Sequence, residues 1–355
     1  MKRFKREVRM ATIKDVAKES GLSVGTVSRY LNGGKLKKKN ELILEETIRK
    51  LDFKINYTAK ALKTNKTFTI GVVVPSLIDP FCNRVIEGID ETLEQMHFSL
   101  IACGARNKLS VEKEKLEFLL DKRVDGIILM PISTQSEHIQ EIIDSGTPVV
   151  LIDRIIDGIS CDAVITDSWM GAAQATKYLI DRGHSRIGII SGPKNIYTAK
   201  QRLKGYLETF QKYNVPINEE MIVYGKYERG GGDKAIKELL AMKERPTAIF
   251  ATNYETTISA LKYLLETGIK IGEDISFCGF DTSDILHVIT PAITTIAQPM
   301  YELGSKAMRL LNRRINGDGK GFPMILKLPT ELLIRDSVAD IRENNKNNKR
   351  KEGSK

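Results

Sequence analysis

An all-α helix-turn-helix head followed by an α/β body of two doubly wound parallel-sheet lobes is the fold class that the sequence predicts, and three observations predict it. Charge is unevenly divided: residues 1–66 hold 18 Lys and Arg against 7 Asp and Glu, whereas residues 67–340 hold 31 against 36. Within the basic part, two short segments with helical apolar spacing meet at a glycine. Beyond it, over roughly 270 residues, short apolar strands alternate with amphipathic helices, a pattern that builds parallel sheets covered by helices on both faces.

A chain of 355 residues that is 41% hydrophobic can bury a sizeable core. Its basic head is where a polyanion should meet it. Residues 1–10 form a basic arm; no apolar stretch follows them and no run of about 18 apolar residues occurs, so neither export nor a membrane span is expected. Cys82, Cys103, Cys161 and Cys278 are scattered, without a CxxC pair or a histidine at metal-ligand spacing. They read as reduced, buried thiols of a cytoplasmic protein that needs no metal or other cofactor.

The first element opens at Thr12 with Asp15 three residues on, a capping-box pattern, and Ile13, Val16 and Ala17 then repeat at helical spacing. Gly21 ends this helix. Ser23 caps a second, Val24–Leu31, which stops at Asn32-Gly33-Gly34. Two short helices joined by a tight turn place the N-terminal residues of the second at base edges in the major groove. Val27 and Leu31 face inward, which leaves Val24, Gly25, Thr26, Ser28 and Arg29 for DNA. Arg29 can fork over a guanine edge, and a phosphate contact or a surface ion pair is its alternative. Lys35, Lys37, Lys38 and Lys39 lie between the second and third helices, where they neutralise phosphates without specifying sequence. In the third stretch, residues 40–51, Leu42, Ile43, Thr47, Ile48 and Leu51 are expected to close a three-helix core.

Residues 11–32, ATIKDVAKESGLSVGTVSRYLN, resemble the head of the lactose-repressor (LacI/GalR) family, in which T-I-x-D-V-A, S-x-x-T-V-S-R and L-N recur. The resemblance implies a homodimeric bacterial repressor that binds a pseudo-palindromic operator in double-stranded DNA. It adds Thr12, Ser23 and Asn32 to the DNA-contacting set. Residues 56–63, NYTAKALK, correspond to the hinge helix of that family: Leu62 wedges into the minor groove, Asn56 and Ala59 line it, and Lys63 lies near the backbone. Packing of Leu62 on the body is the alternative, and the family's usual Gly and Pro are replaced here by Asp52 and Ile55. The expected divisions are therefore 1–10, the arm; 11–55, the helix-turn-helix domain; 56–67, hinge and linker; 68–340, the effector and dimerisation domain; and 341–355, a disordered basic tail too polar to form a coiled coil.

Across the body, Asp79-Pro80-Phe81, Gly183-His184, Thr198-Ala199 with Arg202 and Gly205-Tyr206, Ala251-Thr252-Asn253, Gly279-Phe280-Asp281 and residues 294–299, TTIAQP, resemble the same family's effector domain, whose fold is that of type I periplasmic sugar-binding proteins. Ligands of such sheets sit beyond the carboxyl ends of the strands. The resemblance implies Ser76, Phe81, Asp153, Arg202, Asn253 and Asp281 as cleft residues and a sugar or sugar derivative as effector: carboxylates and amide share hydroxyls, Arg202 forks over oxygens and Phe81 covers an apolar face. Arg202 in a purely structural ion pair is the alternative. Tyr254 and Thr282 stand where the family commonly has Asp.

No GxGxxG opens a helix after a strand, Gly33-Gly34-Lys35 lacks the rest of a phosphate loop, and the four histidines lie beside no nucleophile motif. An enzyme is therefore not expected. A sugar-binding protein without a DNA role would not carry the helix-turn-helix. Residues 298–302 and 307–311 also resemble the patch by which catabolite control proteins dock the phosphocarrier HPr, an alternative mode of control for the same regulator.

Overall fold

The structure is a computed structural model that describes residues 11–31, 34–54 and 66–342. It divides into two compact units, one ending at Thr67 and the other beginning at Phe68. The basic arm, the hinge segment with Asn56, Ala59, Leu62 and Lys63, the tail from residue 343, and Asn32 lie outside the described residues.

The first unit is a three-helix cluster: α1 (Ile13–Ser20), α2 (Val24–Leu31) and α3 (Lys38–Lys50). Thr12 and Asp15 form the capping box, the Thr12 amide donating to Asp15 Oδ2 at 2.8 Å, and Gly21 ends α1 at φ +67°, a conformation that favours glycine. Ser23 Oγ caps α2 by accepting from the Thr26 amide at 3.1 Å. Val16, Ala17, Val27 and Leu44 are the buried centre, with Leu31, Ile48 and Leu51 packed around them. Two expectations need correction. Leu42 is 59% exposed while Leu44 is fully buried, because the inward stripe runs through 44, 47, 48 and 51 and position 42 falls on the opposite side of the helix. The third helix also starts earlier, so Lys38 and Lys39 belong to its first turn rather than to the connection.

The second unit holds two six-stranded sheets, each flanked by helices. In the first lobe, β1 (Thr69–Val74), β2 (Ser99–Gly104), β3 (Gly126–Leu129), β4 (Val149–Ile152) and β5 (Asp162–Thr166) alternate with α4 (Pro80–Met96), α5 (Leu109–Asp121) and α6 (Glu137–Asp144). In the second, β6 (Ile187–Ser191), β7 (Ile222–Tyr224), β8 (Ala248–Ala251), β9 (Ser276–Phe280) and β10 (Thr294–Ala297) alternate with α7 (Ser168–Asp181), α8 (Tyr197–Lys212), α9 (Asp233–Ala241), α10 (Tyr254–Glu266) and the short α11 (Ile285–Val288). The chain then returns to the first lobe as α12 (Met300–Ile315) and β11 (Ile325–Leu328), and crosses again to give β12 (Glu331–Leu333) to the second sheet. Strand orders β11-β5-β4-β3-β1-β2 and β12-β10-β9-β8-β6-β7 match position for position; every pairing is parallel except β10 with β12.

The sequence pattern missed β11, β12 and α11, which are short and largely surface-facing, so neither alternation nor helical periodicity marks them. The return of α12 is fixed by close packing on α4: a Cβ on Gly304 would stand 2.0 Å from the Val85 carbonyl oxygen, and one on Gly88 2.1 Å from that of Tyr301. Ala307, Met308, Leu310 and Leu311 are consequently core, so the segment compared with an HPr-docking patch exposes only its polar side. All four cysteines are free and buried. His184 is structural, paired with Thr247 Oγ1 and the Ala339 carbonyl, and burial lowers its pKa to about 4. Among the described residues no helix is long and apolar enough to cross a membrane.

Candidate functional site

On the first unit the side chains expected to meet DNA split by burial. Thr12, Ser23, Val24, Gly25 and Arg29 are exposed, and Thr26 and Ser28 are half-buried. Arg29 makes no ion pair with a described residue, and Lys35, Lys37, Lys38 and Lys39 are exposed, so this unit presents cations on α2 and in the segment that follows it.

In the second unit, the carboxyl ends of the strands in both lobes face one cleft. Ser76, Asp79 and Phe81 follow β1, Asn107 follows β2, Met130 follows β3, and Asp153 and Arg154 follow β4. From the other lobe come Thr198 and Arg202 on α8, Tyr227 after β7, Asn253 after β8 and Asp281 after β9, with Gln298 from the crossing after β10. The structure thus brings all six sequence-derived cleft residues together. Asp79, Asn107, Arg154, Tyr227 and Gln298 join them although sequence reasoning had not selected them as lining. Position just after a strand could have found Arg154 and Gln298, and position at the start of the next helix Asp79; Tyr227 lies in an irregular loop with no periodic signal.

Each side chain is held by its surroundings. Arg202 lies over the Phe280 ring at 3.8 Å and donates from Nη1 to the Thr252 carbonyl at 2.6 Å and from Nε to Ser168 Oγ at 3.3 Å. It is in no ion pair with a described residue, so the alternative of a structural salt bridge is not what the fold contains. Asn253 caps α10, its Oδ1 accepting from the Thr256 amide at 3.0 Å, which leaves its amide nitrogen to face the cleft. Gln298 ties the lobes together, accepting from Thr166 Oγ1 at the end of β5 and donating to Asp281 Oδ1. Tyr227 sets its hydroxyl 3.3 Å from Thr252 Oγ1 and its ring beside Gly192.

Three carboxylates and two guanidiniums crowd this space. Burial first, and then the like charge of Asp281, pushes the Asp79 carboxyl up to about 7, and burial likewise raises that of Asp281. Among the described residues Asp153 Oδ1 and Arg154 Nε have no hydrogen-bond partner, an acceptor and a donor on adjacent residues. With Phe81 and Tyr227 as flat walls, the set suits a polar, hydroxyl-bearing ring. The inner part of the cleft leaves about 40 Å³, on the order of one water, beside a wider space of about 730 Å³ that shares Ser76, Asp79, Asn107 and Tyr227, so a ring seated among the inner side chains requires the lobes to part or these side chains to turn. Among the described residues no group of His, Cys, Asp and Glu is arranged to hold a metal.

Comparison with known proteins gives consistent results. The profile described as "Bacterial regulatory proteins, lacI family" matches residues 12–56, and that of a "Periplasmic binding protein-like domain" matches residues 176–338. The chain is 35% identical over 335 residues to the HTH-type transcriptional repressor PurR of Pasteurella multocida, covering 93% of this chain and 99% of that one. It is 32% identical over 330 residues to Catabolite control protein A of Priestia megaterium, covering 92% and 99%. Among solved structures, a complex of the transcriptional regulator CelR with cellobiose superposes with a TM-score of 0.71 at 28% identity, over 92% of this chain and 99% of that one.

Proposed function

Because the chain belongs to the lacI family of bacterial regulatory proteins, we propose that it is a cytoplasmic homodimer repressing a carbohydrate-utilisation operon, its operator binding modulated by a sugar or sugar derivative. One observation carries the effector part: donors, acceptors and two aromatic faces converge from strand ends of both lobes onto one cleft, in a chain that also bears an exposed helix-turn-helix. A ligand bridging the lobes changes their separation, and that change is what a hinge can pass on. The cellobiose complex of the similar CelR supports a carbohydrate, with neighbouring hydroxyls for Asp153 and Asn253 and a ring face for Tyr227 or Phe81. A thermal-shift screen of sugars, sugar phosphates and purines against the full chain tests this; stabilisation by purines alone would replace the sugar.

The dimer draws support from apolar side chains left open on the second unit. Leu77 and Ile78 lie just before Pro80, which shares a groove with Asp284 and His287 of the segment carrying the exposed Ile285 and Val288. Ile78 and Val288 are each about three-quarters exposed, and together with Leu77 and Ile285 they put four apolar side chains on the two segments. In the DNA-bound form, Asn32, Asn56, Ala59, Leu62 and Lys63 complete the operator contact with the exposed residues of α2. Co-activation by phosphocarrier HPr is a second reading, favoured by the similarity to Catabolite control protein A. It would use the exposed Glu302, Lys306 and Arg309 of α12, and failure of phosphorylated HPr to bind the full chain would remove it.

A further inference from the structure

We infer that Glu112, which lines no part of the cleft, is a positioning residue for the effector: it holds the Arg154 guanidinium in place through a single intervening peptide unit. The inference rests on the reading of the cleft as the effector site.

Glu112 lies on α5 and is completely buried. A carboxyl taken out of water is costly unless its oxygens are bonded, and both are. Oε1 meets His138 Nε2 at 2.9 Å, and Oε2 accepts from the Ile132 amide at 2.9 Å. That amide N–H shares one planar trans peptide unit with the Pro131 carbonyl, so the two groups point in opposite directions. On the far side the Pro131 carbonyl accepts from Arg154 Nη1 at 2.6 Å. Carboxyl, peptide and guanidinium therefore stand in line. A hydrogen bond at one end of a peptide polarises the other, so Glu112 makes the Pro131 oxygen a stronger acceptor for Arg154.

The segment carrying this peptide connects β3 to α6 and has no regular structure of its own; the Met130 amide is tied to the Val73 carbonyl at 2.9 Å, and Glu112 ties the next amide, that of Ile132. His138, on α6, supplies the second tie and keeps the carboxyl aimed at Ile132. At the cleft end, Arg154 Nε stands 3.4 Å from Asp153 Oδ2, near enough for attraction yet not directed as a hydrogen bond. The plane of the guanidinium, set by the Nη1 bond, decides whether Arg154 Nε and Asp153 Oδ1 can together grip neighbouring acceptor and donor groups of a ligand.

Two substitutions in the full chain separate positioning from bulk stability. Glu112→Gln keeps an oxygen for the Ile132 amide; Glu112→Met fills the same space without one. The readout is the Arg154 Nε–H resonance, assigned by its loss in Arg154→Lys. In Glu112→Met it should move to the position of an unrestrained arginine, while Glu112→Gln stays at the wild-type position. With a ligand found in the screen, Glu112→Met should weaken binding about tenfold, and its effect should not add to that of Arg154→Lys. If Glu112→Met does not fold, Glu112→Met/His138→Leu makes the pocket wholly apolar and replaces it. An unmoved resonance in the Met variant, or an equal displacement in both variants, overturns the inference. The cleft reading is judged separately: it fails if no compound protects the wild type better than Arg202→Ala, whatever the resonance does.

Discussion

Asp153 and Asp281 directly follow the fourth strand of their respective lobes, and both adopt positive φ, +67° and +73°. For a residue with a Cβ that conformation costs about 1 kcal/mol or more, and two such costs at matching ends of the two sheets mark a place where geometry has been put ahead of stability. If Arg202 and Asp281 hold the effector, Arg202→Ala and Asp281→Ala should each abolish its influence on DNA while leaving operator binding in its absence intact; a retained response in gel-shift assays would count against the site. Asp79 gives a pH test. Its pKa rises from 3.8 to about 7 on folding, so its contribution to stability is complete below its ordinary value and lost as pH rises through about 7. Asp79→Asn should therefore be more stable than the parent above pH 7, the gap closing toward pH 4 in denaturant titrations. A gap that ignores pH would show that Asp79 is not buried as described. The carboxylates after β4 and β9 were legible through the resemblance, whereas Tyr227 was not, because a loop side chain reaches the cleft only through the path of the folded backbone.

In the head, caps and glycine turns are local, and α1 and α2 follow from them almost residue by residue. The phase of α3 was less legible: Leu42 and Leu44 look alike in sequence, and only the neighbours α1 and α2 decide which one is covered. Lys37, Lys38 and Lys39 remain exposed at its start, so replacing all three by alanine should flatten the salt dependence of operator binding by about one unit per lost phosphate contact, with little change in base preference. An unchanged slope would sink that role. In the body the close contact of α4 with α12 depends on Gly88 and Gly304. Gly304→Ala must move one helix and should cost about 1–3 kcal/mol, read as a lowered denaturation midpoint. Unaltered stability would mean that the helices are less tightly apposed.

A short recognition helix reads only a few base pairs, so useful specificity needs two copies on a two-fold operator, and among the described residues most of the exposed large apolar side chains that could join them lie on the larger unit. Light scattering of the full chain should give the mass of two chains, and Leu62→Ala should weaken operator affinity and reduce operator bending together. A monomer, a tetramer, or an unbent site with the wild type would refute this arrangement. The sequence by itself determined the helix-turn-helix, the alternation that makes two parallel sheets, and the strand ends where a ligand must sit, because these follow from local periodicity, capping and turn chemistry. Tertiary structure alone decided that the chain crosses back so that α12 packs in the first lobe, that Gln298 bridges the lobes, and that buried Glu112 stands behind Arg154. These depend on contacts between residues far apart in the chain, whose partners are chosen by packing and burial rather than by any pattern that neighbouring residues carry.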